Sequence, residues 1–199
     1  MTRNGSIRIA SGHLRGRKIE VPAGLAVRPM RSRVRESLFN SIHDRLDAAR
    51  VLDVFAGSGA LGIEAISRGA RQSVHVEKDP AVGNLLRKNL EVLGIQAQCK
   101  IYQADAYQIT KRPPPGGGFQ IILLDPPFPD YSGPGSLPWQ LATELSGGEW
   151  LEPGGLLAIE HPRREDAASP PPGVTAWDGK RYGETRLSIW EKELLDQPS

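Results

Sequence analysis

The sequence contains one cysteine, Cys99, among its 199 residues. A single cysteine cannot form an internal disulfide, and it cannot supply the several thiolates of a cysteine metal cluster. The four histidines show no metal-ligand spacing. No apolar run approaches the roughly 18 residues of a membrane-spanning helix, and the first residues lack the apolar segment of a secretory signal. These absences predict a cytoplasmic protein with no metal and no membrane partner.

Charge is distributed unevenly along the chain. Residues 1–35 hold nine lysine or arginine residues and one acidic residue, Glu20, so this segment carries +8 and the remaining residues carry −6. A basic block of this kind is typical of a surface that binds a polyanion such as a nucleic acid, although solvated arms can show the same composition. We expect residues 1–30 to form a basic β-hairpin extension and residues 31–199 to form the main domain.

Strands and helices alternate through most of the chain, after two short strands within residues 7–21. The predicted helices are 32–46, 61–68, 80–93 and a segment around 141–145, and the predicted strands are 51–55, 73–77, 98–102, 121–124 and 156–160. This order predicts an α/β fold with a parallel sheet covered on both faces. The last two strands, 174–177 and 186–191, should pair antiparallel, with Trp177 and Trp190 in the core.

A glycine-rich turn follows the first strand of the predicted sheet, in the sequence DVFAGSGALG that begins at Asp53. Gly57, Gly59 and Gly62 also satisfy the dinucleotide fingerprint, with Glu77 at the expected distance, so an NAD-binding oxidoreductase is the alternative. Two details favour a cationic sulfonium ligand. Asp53 lies within the strand, where a carboxylate would be unfavourable beside a pyrophosphate, and the glycine turn begins one residue late for a dehydrogenase.

A second motif, Asp125-Pro126-Pro127-Phe128, follows the strand IILL. Two consecutive prolines cannot continue a strand, so they predict a rigid extended turn at the carboxyl edge of the sheet, where ligands bind in this architecture. The carboxylate of Asp125 and the carbonyl of Pro126 can accept hydrogen bonds from an exocyclic amine. The ring of Phe128 offers a face on which a flipped base can stack.

Both motifs resemble known enzymes. D-x-F-x-G-x-G is similar to motif I of class I S-adenosyl-L-methionine-dependent methyltransferases, and D-P-P-F is similar to motif IV of those that methylate amino groups. The segment R-P-x-x-x-R-V-R-E-x-L-F-N, which starts at Arg28, and the late run that starts at Tyr182 resemble the RsmD-type 16S rRNA (guanine-N2)-methyltransferase family. The resemblance covers about residues 7–192 and implies a Rossmann-like seven-stranded sheet with an antiparallel last strand.

The resemblance also implies roles for particular residues. S-adenosyl-L-methionine is expected to contact Arg28, Pro29, Asp53, Phe55, Ala56, Gly57, Ser58, Gly59, Ala60, Glu77, Asp105 and Ala106. The predicted catalytic residues are Asp125, Pro126, Pro127 and Phe128, and no metal is involved. Ribosomal RNA, within a small-subunit assembly particle, is expected to contact Arg8, Arg15, Arg17, Lys18, Arg33 and Arg35 of a monomeric enzyme.

Other functions share parts of these patterns. A DNA or RNA adenine-N6 methyltransferase fits motif IV, but a DNA enzyme of that kind normally needs a larger target-recognition region than 199 residues allow. Glutamine-N5 methylation of a protein fits motif IV and not the basic segment. An oxidoreductase fits only the glycines and Glu77, and a non-catalytic RNA-binding protein fits only the basic segment.

Overall fold

A computed structural model describes residues 5–22, 30, 32–165 and 170–194. The chain divides into two compact units, Met1–Ala106 and Tyr107–Ser199. A two-stranded sheet lies in the first unit, and a seven-stranded sheet takes its strands from both units. The predicted α/β fold with a seven-stranded mixed sheet is therefore confirmed. Within the described part of the chain, no helix is both long and apolar enough to cross a membrane.

The first unit begins with the predicted hairpin. Strands β1 (Gly5–Arg8) and β2 (Lys18–Val21) pair antiparallel. Helix α1 (Ser32–Ser41) follows, and it is shorter than the predicted helix over 32–46 because the chain tightens into a 3₁₀ turn at His43–Arg45. The apolar stripe nevertheless continues through this turn, since Ile42 and Leu46 are fully buried.

Alternating strands and helices make up the rest of the first unit. They are β3 (Arg50–Val54), α2 (Ala60–Ser67), β4 (Gln72–Glu77), α3 (Pro80–Leu93) and β5 (Cys99–Gln103). The three strands are parallel, with β4 in the middle. The predicted ends of α3 are confirmed, because the carboxylate of Asp79 accepts from the amides of Ala81 and Val82 and Gly94 ends the helix with φ 74°. Such local caps need no partner elsewhere in the fold.

The second unit contains the remaining strands and one α-helix. They are β6 (Phe119–Leu124), α4 (Leu137–Gly147), β7 (Leu151–Pro162), β8 (Val174–Tyr182) and β9 (Thr185–Lys192). Strands β6 and β7 are parallel, whereas β9 lies antiparallel between β7 and β8. The antiparallel ending is confirmed. Strand β7 is longer than the predicted strand over 156–160, because a register shift opposite β6 accommodates residues 152–155 and lets Leu151 pair with Phe119.

The two tryptophans of the final hairpin differ in burial. Trp190 is buried as predicted, but Trp177 is 42% exposed, so its placement in the core was wrong. The pairing of β8 with β9 shifts between Ala176 and Asp178, which makes Trp177 the extra residue of a bulge. A bulge interrupts the alternation of inward and outward side chains, and a pattern that assumes regular alternation misses it.

Candidate functional site

The glycine turn after β3 contains three residues in the left-handed conformation, and one of them is not glycine. Phe55, Gly57 and Gly59 have φ values of 68°, 54° and 85°. A bulky residue such as Phe55 adopts this conformation at a cost of roughly 1–3 kcal/mol, and such strain concentrates at functional turns. The turn is held by the amide of Ala56, which donates to the carbonyl of Val76 on β4 at 3.0 Å.

The two glycines of this turn serve different purposes. A Cβ added to Gly59 would lie 2.3 Å from Cδ1 of Leu86, so packing against α3 requires glycine there. A Cβ added to Gly57 would meet only the carbonyl oxygen of Phe55 at 3.9 Å. The backbone at Gly57 therefore faces open space, as a loop that lets a ligand approach its main chain must.

Asp53 lies at the base of the turn, and its side chain is 1% exposed. Its Oδ2 accepts from the amide of Gly62 at 2.8 Å, in the first turn of α2. The N-cap of this helix, Gly59, makes no side-chain capping bond, so Asp53 supplies the acceptor that the helix start requires. Its contact with the methyl donor stays a prediction, and the bond to Gly62 gives it a positioning role.

The third glycine of the motif, Gly62, allows α2 to lie close to β4. A Cβ at this position would be 2.3 Å from Cε1 of His75 and 2.4 Å from Oγ of Ser73. The buried ring of His75 also brings its Nδ1 within 3.3 Å of Oδ2 of Asp53. The spacing of the three glycines thus reflects an open turn, a helix start and a close helix–strand contact.

Glu77 ends β4 and joins the glycine turn to the start of α3. Its Oε2 accepts from the amide of Gly57 at 2.9 Å, and its Oε1 accepts from the amide of Asp79 at 2.8 Å. The residue is half-buried, and an ionised carboxylate has about four lone-pair positions. Glu77 can therefore accept hydrogen bonds from the hydroxyl groups of a ribose while it keeps both hydrogen bonds from backbone amides.

The remaining predicted donor residues that the structure describes lie in the glycine turn, at the start of α2 or after β5. Asp105 is exposed just after β5, and Ala106 is buried at the start of a 3₁₀ turn. The amide of Ala104 donates to the carbonyl of Glu77 at 3.2 Å, which joins the ends of β4 and β5. Ser58 is buried, and its carbonyl accepts from Nδ2 of Asn89 at 3.1 Å. Arg28 and Pro29 lie outside the described residues.

The D-P-P-F motif forms a tight turn directly after β6 in the second unit. Pro127 is extended, with ψ 130°, and a 3₁₀ turn, Phe128–Asp130, follows it. The amide of Asp130 donates to the carbonyl of Pro127 at 3.0 Å. Pro126 is buried, whereas Asp125 and Phe128 are partly exposed. The two prolines thus end the strand and leave the carboxylate and the ring accessible at its carboxyl end.

Tyr131 supports this turn, and no motif in the sequence singles it out beyond its position three residues after Phe128. Its hydroxyl donates to the carbonyl of Glu160 on β7 at 2.9 Å. Its ring lies edge-on to Phe128, with centroids 6.4 Å apart, and edge-on to Trp139 at 5.5 Å. Burial raises the pKa of Tyr131, and the negative charge of Asp125 raises it further. The phenol therefore stays protonated and holds the motif against β7.

The basic hairpin is docked on the first unit, so the alternative of a solvated arm is wrong for residues 5–22. Glu64 of α2 accepts from the amides of Ala10 and Ser11 at 2.8 and 3.0 Å. Asn89 of α3 pairs with both backbone groups of Glu20, each at 2.9 Å. Gly12 lies so close to α2 that an added Cβ would be 1.7 Å from the carbonyl oxygen of Ser67.

Docking leaves most of the predicted RNA-contact residues exposed, namely Arg8, Arg15, Arg17, Lys18 and Arg33. Two of them also donate hydrogen bonds to backbone carbonyl groups. Arg8 donates to the carbonyl of Gly16 at 3.1 Å, and Arg17 donates to the carbonyl of Val92 at 2.8 Å. These bonds fix the direction of each side chain at little cost to its charge.

Arg35 is the exception, because it is buried, which contradicts its predicted contact with RNA. It is 2% exposed, it donates to the carbonyl of Arg8 at 2.9 Å, and its Nε lies 3.9 Å from Oε2 of Glu64. Burial lowers the pKa of Arg35, and the charge of Glu64 opposes that effect. Arg35 therefore belongs to the docking contact beneath the hairpin and not to an RNA-facing surface.

Comparison with known proteins agrees with these features. The family model described as Conserved hypothetical protein 95 matches residues 7–191. Ribosomal RNA small subunit methyltransferase D of Haemophilus influenzae is 35% identical over 167 residues, which cover 83% of this chain and 84% of that protein. The protein of the same name from Escherichia coli is 33% identical over 190 residues, which cover 96% of this chain and 92% of that protein.

Solved structures give the same result. That of the Escherichia coli protein yhhF matches with a TM-score of 0.84 and 34% identity, and the match covers 96% of this chain and 100% of that chain. The family model and the relatives thus extend over most of the sequence. The chain belongs to the Conserved hypothetical protein 95 family, and its resemblance to the RsmD-type methyltransferases is confirmed.

Proposed function

We propose that this protein transfers the methyl group of S-adenosyl-L-methionine to the exocyclic N2 amine of a guanine in small-subunit (16S) ribosomal RNA. The observation that carries the proposal is the D-P-P-F turn at the carboxyl end of β6, in a chain whose relatives are named ribosomal RNA small subunit methyltransferase D. The substrate is proposed to be the RNA within a small-subunit assembly particle, and the enzyme a cytoplasmic monomer.

The residues of the first unit fit the methyl donor. The open face of Gly57 and the half-buried carboxylate of Glu77 would receive its nucleoside, with Asp105 and Ala106 beside them at the end of β5. When bound, S-adenosylmethionine supplies a methyl group on a positively charged sulfur. The protein holds the turn rigid through Asp53 and Glu77, so little ordering is required when the ligand binds.

The residues of the second unit fit an aromatic amine. The lone pair of an exocyclic amine is delocalised into the ring, which makes the nitrogen a poor nucleophile. Acceptors at Asp125 and at the carbonyl of Pro126 would localise that lone pair and stabilise the positive charge that develops on the nitrogen. Phe128 would hold the flipped base by stacking. Catalysis then rests on alignment and on electrostatic stabilisation.

Donor identity is the first testable prediction. Calorimetry should detect binding of S-adenosylmethionine and of its demethylated product and no binding of NAD, because the carboxylate of Asp53 already occupies the amide of Gly62 at the start of α2, where a pyrophosphate would need free amides. Gly57→Val places a side chain on the open face of the turn and should abolish binding. Tight binding of NAD without binding of the methyl donor would contradict the proposed function.

The acceptor is tested by mapping the product. The protein is incubated with tritiated methyl donor and small ribosomal subunits that lack base methylation, and the labelled nucleotide is then identified. We expect N2-methylguanine at one position. Label on the N6 amine of adenine would instead support the adenine-specific alternative, and label on protein would support glutamine methylation.

The exposed hairpin cations are tested by salt dependence. Arg15→Ala with Lys18→Ala should lower the slope of log affinity against log salt by about one for each lost phosphate contact, with donor affinity unchanged. Arg17 is left intact because it also binds the carbonyl of Val92. Arg71→Ala with Lys100→Ala removes the same charge from exposed positions outside the hairpin and serves as the control. Equal slopes in all three proteins would show that the hairpin does not contact RNA.

A further inference from the structure

Basic residues of the second unit are concentrated in one place. Residues 107–199 contain 8 lysine or arginine residues and 13 aspartate or glutamate residues, so this part of the chain carries −5. Five of its basic residues nevertheless lie between positions 163 and 186, and they are Arg163, Arg164, Lys180, Arg181 and Arg186. The same stretch holds four acidic residues, so it carries +1 in a unit whose other residues carry −6.

The fold brings these residues together at the carboxyl end of β7. The amide of Arg163 donates to the carbonyl of Glu184 at 2.7 Å, which joins the turn after β7 to the turn between β8 and β9. Pro162 pairs with Thr185, and Thr185 pairs with Tyr182 on β8. The end of β7, the end of β8 and the start of β9 therefore lie within one small area, with arginine in β8, in β9 and in the turn that follows β7.

Within this area two arginines lie directly opposite each other, because Arg181 of β8 pairs with Arg186 of β9. Like charges in directly opposed positions destabilise a sheet. Arg163, Arg164 and Arg181 are exposed, and Arg186 is half-buried. A group of arginines that lie close together, three of them exposed, is typical of a site for an anionic partner.

Acidic groups in the same area weaken this charge without cancelling it. Asp178 lies 3.1 Å from Nζ of Lys180, so that pair is close to neutral. Glu165 lies 3.9 Å from Nε of Arg164, whose side chain is 70% exposed, and an ion pair this long and this exposed contributes little. Glu184 is exposed in the turn. Burial is the main cause that lowers the pKa of His161 to about 4, so that ring adds no charge at neutral pH.

The area lies at the same edge of the sheet as the acceptor motif. Strands β6 and β7 are parallel, and Leu124 pairs with Ile159, so Asp125 and Glu160 follow at the same level. Tyr131 connects the motif loop to the carbonyl of Glu160, three residues before Arg163. A nucleotide whose base stacks at Phe128 would therefore have its flanking backbone near these arginines.

We propose that Arg163, Arg164, Arg181 and Arg186 form a carboxyl-edge surface that binds the phosphate backbone next to the methylated guanine. This inference rests on the proposed function. The surface is separate in sequence from the hairpin cations and belongs to the unit that holds the acceptor motif. Guanidinium groups suit this role because they bind phosphate oxygens in a bidentate manner and do not titrate at neutral pH.

The test compares three variants by the salt dependence of RNA binding and by steady-state methylation. Arg164→Ala with Arg181→Ala should lower the log–log salt slope by about 0.7–0.9 per lost contact. It should raise the KM for RNA several-fold, with kcat and donor affinity unchanged. Arg164→Lys with Arg181→Lys keeps both charges and should restore the slope. Thermal melting should not fall in any of them, because both arginine side chains are exposed and the alanine variant also removes the charge opposite Arg186.

The matched control is Lys111→Ala with Arg112→Ala. These exposed residues line an open groove of about 710 Å³ with Trp150, which precedes β7, so they lie toward the amino end of the strand. If the salt slope of the control falls as far as that of Arg164→Ala with Arg181→Ala, the effect comes from net charge alone and the inference is overturned. The inference is also overturned if the unmodified protein methylates guanine and the double alanine variant has an unchanged slope. Failure of the unmodified protein to methylate RNA would instead overturn the proposed function.

Discussion

Replacing Asp125 with alanine should lower the single-turnover rate of methylation by about a hundredfold or more, which is the usual cost of losing one preorganised electrostatic group from an active site. The carboxylate acts on the amine as positive charge develops, so its loss affects the transition state more than the bound substrates. Donor affinity should stay nearly unchanged, because the proposed donor residues lie in the first unit. Rates are measured on one RNA substrate at saturating enzyme.

Variants of the same turn separate catalysis from folding. Asp125→Asn keeps an oxygen acceptor and should lose less activity than Asp125→Ala. Phe128→Ala removes the stacking face, worth roughly 1–3 kcal/mol, and should raise the RNA concentration required as well as slow the reaction. Phe128→Tyr keeps that face and should be tolerated. If Asp125→Ala methylates at nearly the normal rate while the protein remains folded, the motif is only a structural turn.

Replacing Glu64 with alanine should destabilise the protein by about 3–5 kcal/mol, which is the usual cost of removing one partner from a buried ion pair. Glu64 is 1% exposed and accepts from the amides of Ala10 and Ser11 and from Nε of Arg68 at 2.8 Å. Its loss also removes the carboxylate whose charge most favours the buried guanidinium of Arg35. Urea unfolding should show a lower midpoint, with the transition of the first unit most affected.

The control for this substitution is Glu36→Ala, which removes an exposed carboxylate from the neighbouring helix α1 and should change stability by less than about 0.5 kcal/mol. RNA affinity should fall in Glu64→Ala, because the hairpin loses two of its hydrogen bonds to α2, and it should stay unchanged in Glu36→Ala. A midpoint equal to that of the unmodified protein would mean that the hairpin docks without Glu64.

Local signals allowed much of this structure to be predicted. The ends of α3 follow from Asp79, Pro80 and Gly94, which act within one turn of the helix. The turns after β3 and β6 follow from the spacing of glycine and proline, because glycine permits backbone conformations that other residues avoid and proline restricts them wherever it occurs. The contacts that the motif residues make with other parts of the fold could not be predicted from the sequence. The bond from Asp53 to Gly62 and the support of Phe128 by Tyr131 depend on strands and helices meeting at particular distances.

The errors have a common physical origin in contacts between distant parts of the chain. A helix considered alone has one buried face, here the stripe formed by Val34, Leu38 and Ile42, and Arg35 lies outside that stripe, which is consistent with its predicted contact with RNA. In the fold the hairpin and α2 cover that second face, and Glu64 and the carbonyl of Arg8 bind the guanidinium. A charged residue next to an apolar stripe gives no sign in the sequence that a partner lies nearly thirty residues away.

The position of Asn89 affects whether the protein can aggregate at high concentration. Its side-chain amide binds the N–H and the carbonyl of Glu20, as a neighbouring strand would. A two-stranded sheet is marginal by itself, and an open strand edge is a template on which another chain can add. By occupying those groups on β2, Asn89 makes this hairpin a poor seed for intermolecular β-pairing. The basic strands can thus remain at the surface without promoting aggregation.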